Sequence, residues 1–399
     1  MLLGVIGKSN VGKTTLFSAA TLVNAEISNR IFTTIEPNKG VSYVRVKCPC
    51  GELYDARSAS VGSKCNPRNS KCVDGTRYVP VKMVDVAGLV PGAHEGKGLG
   101  NQFLSDIMEA NALIHVIDVS GATDESGNPI SPGGRDPKED IKFLEEEIDY
   151  WILGILKRNF RTLSKRMDAT KESFSALVYK QLSGLGIKLH DIEHAILLTE
   201  IVPDSDDYEL LKFIKILRER SKPILLAANK IDIDSSDENI GRLTDLGYKL
   251  FPCAAEAELA LRKAAEKGII EYNPGDNNFK ILKEIDNTHK RALDYIRRVI
   301  GKYGSTGVQK IIDAAVFDVL QMIVVFPVEN EHKLSDKKGN ILPDALLMKN
   351  GSTALDMAYA VHEDIGKKFV AAVDARSGKQ LSSSYILKNG DVISIKAGR

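Results

Sequence analysis

Residues 7–14 read Gly-Lys-Ser-Asn-Val-Gly-Lys-Thr, which fits the pattern G-x-x-x-x-G-K-[ST]. The short apolar run before it, Leu2–Ile6, has the character of a strand, and residues 15–20 can open a helix. In that context, successive backbone N–H groups and the positive end of the helix cradle phosphates. The pattern therefore predicts a nucleoside triphosphate site. Its predicted phosphate-binding residues are Gly7, Ser9, Asn10, Val11, Gly12, Lys13, Thr14 and Thr15.

A second motif lies at the end of another apolar run. Residues 81–89 read Val-Lys-Met-Val-Asp-Val-Ala-Gly-Leu and end in the pattern D-x-x-G. We expect Asp85 to hold Mg²⁺ together with the Thr14 hydroxyl, directly or through water. The Gly88 N–H is expected to contact the γ-phosphate, so that the following loop moves on hydrolysis. A switch threonine that closes on Mg²⁺ belongs between the two motifs, and we favour Thr34, with Thr33 as the alternate.

A third motif identifies the base. Residues 223–232 form an apolar strand pattern that ends in N-K-x-D. The two oxygens of the Asp232 carboxylate match guanine N1–H and N2–H₂, and a buried carboxylate without such partners rejects adenine. Residues 251–255, Phe-Pro-Cys-Ala-Ala, fall where P-loop GTPases place S-A-K, whose backbone N–H meets guanine O6. The predicted guanine-binding residues are Asn229, Lys230, Asp232, Cys253, Ala254 and Ala255.

Composition bounds the class of protein. The chain has 399 residues, 43% hydrophobic and 27% charged, with a formal net charge of +1. This is the composition of a globular protein of two or three domains, and bulk basic character does not argue for nucleic acid. An apolar strand at the N-terminus in place of a signal peptide, and the lack of a long apolar run, predict a cytoplasmic protein without a membrane partner.

The spacing of strand and helix patterns predicts an α/β fold. We expect a doubly wound, mostly parallel sheet in a nucleotide-binding domain over 1–130 and 205–262. Apolar residues at three- and four-residue steps after Asp136-Pro137 predict an inserted helical arm over 131–204, with packing helices over 263–318. Short strands with turn signals such as Ser377-Gly378 predict a small separate domain over 319–399.

Four of the five cysteines cluster in the sequence. Cys48 and Cys50 form C-P-C, and Cys65 and Cys72 follow among basic residues. Four thiolates suit a tetrahedral Zn²⁺ site, although C-x-C with wide later spacing is not the usual C-x₂-C pair. Disulfides, which occur in hyperthermophiles, and unlinked packing thiols are the alternatives.

Residues 32–38, 85–93 and 98–104 (F-T-T-I-E-P-N, D-V-A-G-L-V-P-G-A and G-L-G-N-Q-F-L) resemble the Obg-type GTPases, and within them an archaeal-like member of the YchF/OLA branch. The resemblance covers essentially the whole chain, because the C-terminal part is similar to the β-grasp TGS domain of this branch. It implies a regulatory GTPase whose TGS domain and helical arm meet RNA or the ribosome.

Two departures from common patterns bear on activity. Many YchF-like proteins carry N-x-x-E and lean towards ATP, whereas Asp232 here argues for GTP, with dual ATP/GTP use as the alternative. Leu89 stands where many GTPases place a glutamine that orients water, so we expect slow hydrolysis. Asn10 occupies the position of a K⁺ ligand in potassium-dependent members of the wider class. His94 and His115 are weak catalytic candidates, and His115 reads more naturally as a core residue.

The motifs together predict a slow, Mg²⁺-dependent GTP hydrolase that acts as a switch. The alternative function is a nucleotide-gated binding protein in which hydrolysis is incidental and the C-terminal domain and helical arm do the binding.

Overall fold

The chain is described here from a computed structural model, which covers residues 1–22, 38–55, 65–86, 107–160 and 162–398. Its strands are β1 (Leu2–Ile6), β2 (Lys39–Lys47), β3 (Lys71–Val73), β4 (Thr76–Asp85), β5 (Ala112–Asp118), β6 (Ile224–Asn229), β7 (Leu250–Cys253), β8 (Ile270–Glu271), β9 (Lys280–Ile281), β10 (Met322–Val328), β11 (Leu346–Lys349), β12 (Phe369–Asp374), β13 (Gln380–Leu381) and β14 (Val392–Ala397).

Helices account for most of the remainder. They are α1 (Lys13–Thr21), α2 (Cys50–Asp55), α3 (Pro137–Phe160), α4 (Leu163–Thr170), α5 (Phe174–Leu182), α6 (Leu189–Thr199), α7 (Asp207–Ser221), α8 (Ser236–Asp245), α9 (Ala255–Glu266), α10 (Asn287–Tyr303), α11 (Val308–Ala314), α12 (Ala354–Val361) and α13 (Glu363–Lys367). Within the described ranges, no helix has the length and apolar character needed to cross a membrane.

The described residues fall into two compact units. The first contains 1–22, 38–40, 82–86, 107–160 and 162–311, and the second contains 41–55, 65–81 and 312–398. Residues 41–55 and 65–81, which lie inside the predicted nucleotide-binding domain, thus belong with the C-terminal residues. The domain limits derived from the sequence stay predictions.

A parallel sheet forms the centre of the first unit, in the order β4-β1-β5-β6-β7. Strand β5 lies in the middle, and all seven of its residues are buried, as expected for a strand covered on both faces. The carboxyl ends of parallel strands meet at one edge of a sheet. Because β1, β4 and β6 lead directly into the three motifs, the topology brings the motifs to that edge.

The inserted segment of the first unit is helical, as predicted. Helix α3 begins at Pro137, and the Asp136 carboxylate accepts a hydrogen bond from the Lys138 backbone N–H at 2.9 Å, which stabilises the helix start. The apolar stripe of α3 is buried in one core with residues of α7, including Phe213 and Leu217. The stripe is therefore internal packing.

The second unit contains a five-stranded mixed sheet with the order β11-β10-β14-β12-β13. The pair β10–β14 is parallel and the other pairs are antiparallel. Met357 of α12 is buried in the core of this sheet. The predicted turn at Ser377-Gly378 lies between β12 and β13, and Gly378 has a φ of +70° that suits glycine.

Candidate functional site: the nucleotide-binding edge

The phosphate loop connects β1 to α1 and depends on two glycines. Gly7 has a φ of +145°, and a Cβ there would lie 2.5 Å from the Val116 carbonyl oxygen. Gly12 has a φ of +97°, and a Cβ there would lie 2.3 Å from the side-chain nitrogen of Asn229. Any side chain at either position would push the loop away from its neighbours, so the loop geometry requires both glycines.

Two lysines of this loop have different roles. Lys13 is buried and its Nζ donates to the Lys8 carbonyl oxygen at 2.6 Å. Burial lowers the pKa of Lys13, an effect that the nearby Asp85 carboxylate opposes. Lys8, in contrast, contacts residues outside the loop. Its Nζ lies 2.7 Å from Asp140 Oδ2. The same atom donates to the carbonyl oxygens of Thr123 and Asp124. Lys8 therefore fixes the loop to the segment after β5, and Lys13 stays the predicted phosphate ligand.

Thr14 and Asp85 meet as the sequence predicts. The Thr14 hydroxyl donates to Asp85 Oδ2 at 2.8 Å. The other oxygen, Asp85 Oδ1, is buried and has no hydrogen-bond partner among the described residues. Burial raises the pKa of Asp85, while Thr14 and Lys13 oppose that rise. A buried, unpartnered carboxylate oxygen beside a hydroxyl is the donor set that Mg²⁺ takes, so these two residues fit the ion.

Asn10 also has defined contacts. Its φ is +61°, and its side-chain nitrogen donates to the Gly127 carbonyl oxygen at 2.9 Å. Gly127 approaches the loop so closely that a Cβ would lie 2.6 Å from the Ser9 carbonyl oxygen. The segment after β5 thus supports the phosphate loop at Asn10 as well as at Lys8.

Asn229 joins the phosphate loop to the predicted guanine loop. It is 4% exposed, its side-chain nitrogen donates to the Val11 carbonyl oxygen at 2.8 Å, and its side-chain oxygen accepts the Ala255 N–H at 3.1 Å. Asn229 is therefore a connecting residue whose side-chain nitrogen and oxygen each bond the protein backbone.

Lys230 and Asp232 follow in a tight loop. Lys230 has a φ of +69°, and its Nζ lies 2.8 Å from Asp118 Oδ2. Asp118, at the end of β5, also accepts hydrogen bonds from Ser120 and Thr123. Asp232 is half-buried, and its carbonyl oxygen accepts the hydroxyl of Tyr295 from α10. Lys230 is thus held through its Nζ atom and Asp232 through its backbone carbonyl oxygen. The Asp232 carboxylate, which is expected to meet the base, is not used in these contacts.

The segment Cys253, Ala254 and Ala255 ends β7 and begins α9. Burial, with a smaller effect of Glu258, raises the pKa of the Cys253 thiol, which stays neutral. The Ala254 N–H donates to the Thr306 carbonyl oxygen at 2.9 Å, so guanine O6 would compete with that carbonyl for the N–H. The neighbouring Gly307 lies so close that a Cβ would be 1.8 Å from the Pro252 carbonyl oxygen.

Several predicted residues lie elsewhere. Thr33, Thr34, Gly88, Leu89 and His94 are outside the described residues. His115 lies on β5 and is 1% exposed. Burial lowers its pKa to about 3, with a smaller effect of Lys13. It is neutral at physiological pH and placed as a core histidine would be.

The four clustered cysteines come together in the second unit. Sγ–Sγ distances are 3.8 Å for Cys48–Cys65 and 3.8 Å for Cys50–Cys72, and all four sulfur atoms lie within 4.8 Å of one another. All are free thiols. Hydrogen bonds from Cys65 and Cys72 lower the pKa of the Cys48 thiol.

Sequence reasoning gave no role to Asp118, Lys8, Asp140 or Thr306. Asp118 carried a signal, because it is a carboxylate at the end of a mainly apolar strand pattern, as Asp85 is. Lys8, Asp140 and Thr306 carried none, since their roles depend on contacts between distant parts of the chain.

Three family models match the chain. One described as 50S ribosome-binding GTPase matches residues 2–153, one described as Obg-like GTPase YGR210-like, G4 motif-containing domain matches residues 227–330, and one for the TGS domain matches residues 337–397. Together they cover the sheet edge described above and the C-terminal sheet. The helical segment between the first two models is outside all three.

Individual proteins agree with these models. The GTP-binding protein MJ1332 of Methanocaldococcus jannaschii is 49% identical, with 99% of this chain and 98% of that protein covered. The crystal structure of a GTP-binding protein from Pyrococcus horikoshii is 37% identical, covers both chains fully and superposes with a TM-score of 0.75. The ribosome-binding ATPase YchF of Haemophilus ducreyi is 34% identical, with 66% of this chain and 68% of that protein covered. The chain belongs to the Obg-like GTPases of the YGR210 and MJ1332 type, which carry a TGS domain and are related to the YchF family.

Proposed function

We propose that the protein hydrolyses GTP slowly in a Mg²⁺-dependent reaction and acts as a switch for a ribosome- or RNA-linked partner. The observation that carries the proposal is the position of Asn229, whose amide bonds both the Val11 carbonyl oxygen and the Ala255 N–H. This residue connects the phosphate loop to the predicted guanine loop. A nucleotide whose phosphates bind the first loop would therefore find the second loop already in position to contact the base. Preorganisation of this kind increases the affinity for the ligand.

The preference for GTP rests on Asp232. Its two carboxylate oxygens suit the two donors of guanine, and adenine offers no equivalent pair. Tyr295 holds the Asp232 carbonyl, and Lys230 is held by Asp118, so the loop that presents the carboxylate has little freedom. The YchF relative is a ribosome-binding ATPase by its name, and dual ATP/GTP use is the alternative that the base-reading argument opposes.

Mg²⁺, when bound, neutralises charge that develops on the phosphates. Thr14 and Asp85 would hold it, together with Thr34 as the predicted switch residue. Lys13 would exchange its bond to the Lys8 carbonyl oxygen for one to the β- and γ-phosphates. Leu89 has no group that can orient water, so this chain lacks the glutamine that orients water in many GTPases, and turnover is slow.

Stimulation by K⁺ is part of the proposal. The Asn10 nitrogen is engaged by the Gly127 carbonyl oxygen, which leaves the side-chain oxygen as the ligand atom for the cation. A K⁺ ion beside the phosphates would supply positive charge where negative charge develops. We expect KCl to raise the GTP turnover rate relative to NaCl in the wild-type protein, and Asn10→Ala to remove this difference between the two salts when turnover is measured at saturating GTP.

The switch role comes from the family. The TGS match and the ribosome-binding relatives support a partner of ribosomal or RNA chemistry, reached through the TGS domain and the helical arm. Nucleotide-dependent movement of residues after Asp85 would connect hydrolysis to that partner.

Phosphate release from GTP and from ATP, with KCl or NaCl and with or without ribosomes, tests the proposal. We expect Mg²⁺-dependent release from GTP that exceeds release from ATP and that Lys13→Ala abolishes. Negligible release under every condition, with partner affinity still changing with the bound nucleotide, would instead support a nucleotide-gated binding protein.

A further inference from the structure

The four clustered cysteines come from three separate parts of the second unit. Cys48 follows β2 and Cys50 begins α2, Cys65 lies in the following segment, and Cys72 lies on β3. The β3–β4 hairpin turns at Asp74 and Gly75, both with positive φ, and the Gly75 carbonyl oxygen accepts the Cys48 N–H at 2.7 Å. This bond brings Cys72 beside the C-P-C segment.

The sulfur positions match a tetrahedral metal site. A Zn–S bond of about 2.3 Å gives a tetrahedron whose edges are about 3.8 Å. The Cys48–Cys65 and Cys50–Cys72 distances are both 3.8 Å, and no sulfur is more than 4.8 Å from another. A pair of disulfides requires only two sulfur–sulfur approaches, whereas here all four sulfur atoms converge on one point.

A buried cation lies close to the cluster. The Arg77 side chain is 0% exposed, and Arg77 lies opposite Cys72 in the β3–β4 register. Four thiolates around one Zn²⁺ carry a net charge of −2. A nearby guanidinium offsets part of that charge in a region where water does not reach it.

We propose that Cys48, Cys50, Cys65 and Cys72 bind one Zn²⁺ through four thiolates, and that the ion holds segment 65–72 against the loop 341–345 of the same unit. The thiols release their protons to solvent when the metal binds. This inference does not rest on the proposed GTP hydrolysis.

Segment 65–72 makes the contacts that such an ion would stabilise. The Asn66 N–H donates to the Ile341 carbonyl oxygen at 3.2 Å, and the Arg68 N–H donates to that of Pro343 at 2.7 Å. The Asn69 side chain bonds both the N–H and the carbonyl oxygen of Ala345, at 3.0 and 2.9 Å. Cys65 and Cys72 bracket these residues, so a metal bound to both closes the segment at its ends.

Arg77 extends the same connection into the C-terminal sheet. Its guanidinium donates to the Ser70 hydroxyl at 2.9 Å and to the Leu342 carbonyl oxygen at 2.9 Å. It also stacks over the ring of Phe326 on β10, 5.4 Å from the ring centre. The ion would therefore set the position of a segment that packs on the β-grasp sheet, where it acts as a structural metal.

Metal content of the wild-type full-length protein is the first test. Protein purified in zinc-containing, reducing buffer is analysed by inductively coupled plasma mass spectrometry and by X-ray absorption at the zinc edge. We expect one zinc per chain with four sulfur neighbours at about 2.3 Å. Substitution with Co²⁺ should give the absorption of a tetrahedral thiolate complex. A chain that holds no zinc, or a mass four hydrogens lower that reveals two disulfides, would overturn the proposal.

Variants separate this site from non-specific thiol binding. Cys72→Ser should lower bound zinc at least tenfold, whereas Cys253→Ser, which alters the one cysteine outside the cluster, should leave one zinc per chain. If Cys72→Ser does not fold, the absorption spectrum of the wild-type protein still decides the question. Equal zinc content in the two variants would contradict the assignment.

A separate measurement tests whether the ion holds segment 65–72 against the loop 341–345. Hydrogen exchange is followed in the full-length wild-type protein before and after zinc removal with a chelator. We expect exchange at 66–69 and 341–345 to accelerate at least tenfold, while helix α1 in the other unit is unchanged. Unchanged exchange in both segments after complete zinc loss would show that the ion does not hold them together.

Discussion

Lys230 Nζ lies 2.8 Å from Asp118 Oδ2, so the predicted guanine loop is tied to the end of the central strand β5. Asp118 is 1% exposed, whereas Lys230 is only partly buried. The carboxylate is therefore the buried member of the pair, and it also accepts hydrogen bonds from Ser120 and Thr123. Lys230, one of the predicted guanine-binding residues, is positioned by Asp118.

Replacement of Asp118 by asparagine should weaken this arrangement. We expect Asp118→Asn to lower GTP affinity about tenfold, which corresponds to about 1.4 kcal/mol. A double-mutant cycle with Lys230→Met, measured by urea unfolding, should give a coupling energy of about 1–3 kcal/mol because the carboxylate is buried. Asp234→Asn, which alters an exposed carboxylate nearby, is the control. A coupling energy near zero would mean that the ion pair has no energetic role.

Gly307 and Gly301 form a matched pair of substitutions. A Cβ at Gly307, where φ is +83°, would lie 1.8 Å from the Pro252 carbonyl oxygen, while a Cβ at Gly301 meets nothing within 4 Å. We expect Gly307→Ala to lower the free energy of unfolding by about 2–4 kcal/mol and to weaken guanine binding through Cys253–Ala255. Gly301→Ala, in the exposed part of helix α10, should raise that free energy by about 1 kcal/mol. Equal free energies of unfolding for the two variants would contradict the close approach of Gly307 to the Pro252 carbonyl oxygen.

The buried His115 predicts a pH dependence of stability. Its folded-state pKa of about 3 lies below the usual 6.5, so below pH 6.5 the unfolded chain binds a proton that the folded chain does not. Stability is therefore lost as pH falls from about 6.5 towards 3, by about 1.4 kcal/mol per pH unit. Between pH 6.5 and 5 the wild-type protein should lose about 2 kcal/mol more than His115→Leu, measured by urea unfolding. Parallel profiles for the two proteins would rule out the buried neutral histidine.

The sequence motifs indicated which segments meet at this edge because each motif follows or ends a strand of the parallel sheet, and the carboxyl ends of such strands lie together. Gly7 and Gly12 have positive φ angles within the phosphate loop itself, and Thr14 meets Asp85 because the loop after β1 lies beside the end of the adjacent parallel strand β4. The resemblance to the Obg-type GTPases and the predicted α/β fold with a C-terminal TGS domain are confirmed. The roles assigned to individual ligands, among them the Mg²⁺ and K⁺ ligands, stay predictions.

The sequence motifs did not predict other contacts between segments that are distant in the chain. Cys65 and Cys72 lie beside the C-P-C segment. This proximity depends on a two-residue hairpin turn and on the hydrogen bond from the Cys48 N–H to the Gly75 carbonyl oxygen. The contact of Thr306 with Ala254 joins residues about fifty positions apart. Such contacts depend on how helices and strands pack against one another, and the spacing of residues in the sequence does not predict that packing.

Selection of guanine over adenine is the central claim, and calorimetric titration with GDP and with ADP tests it most directly, because neither nucleotide is consumed by γ-phosphate release. Both diphosphates make the same phosphate contacts, so a difference in affinity reports the base alone. We predict a dissociation constant for GDP at least tenfold lower than that for ADP, a difference of about 1.4 kcal/mol or more. Equal dissociation constants for the two nucleotides would contradict the role of Asp232 and, with it, the assignment of GTP as the substrate.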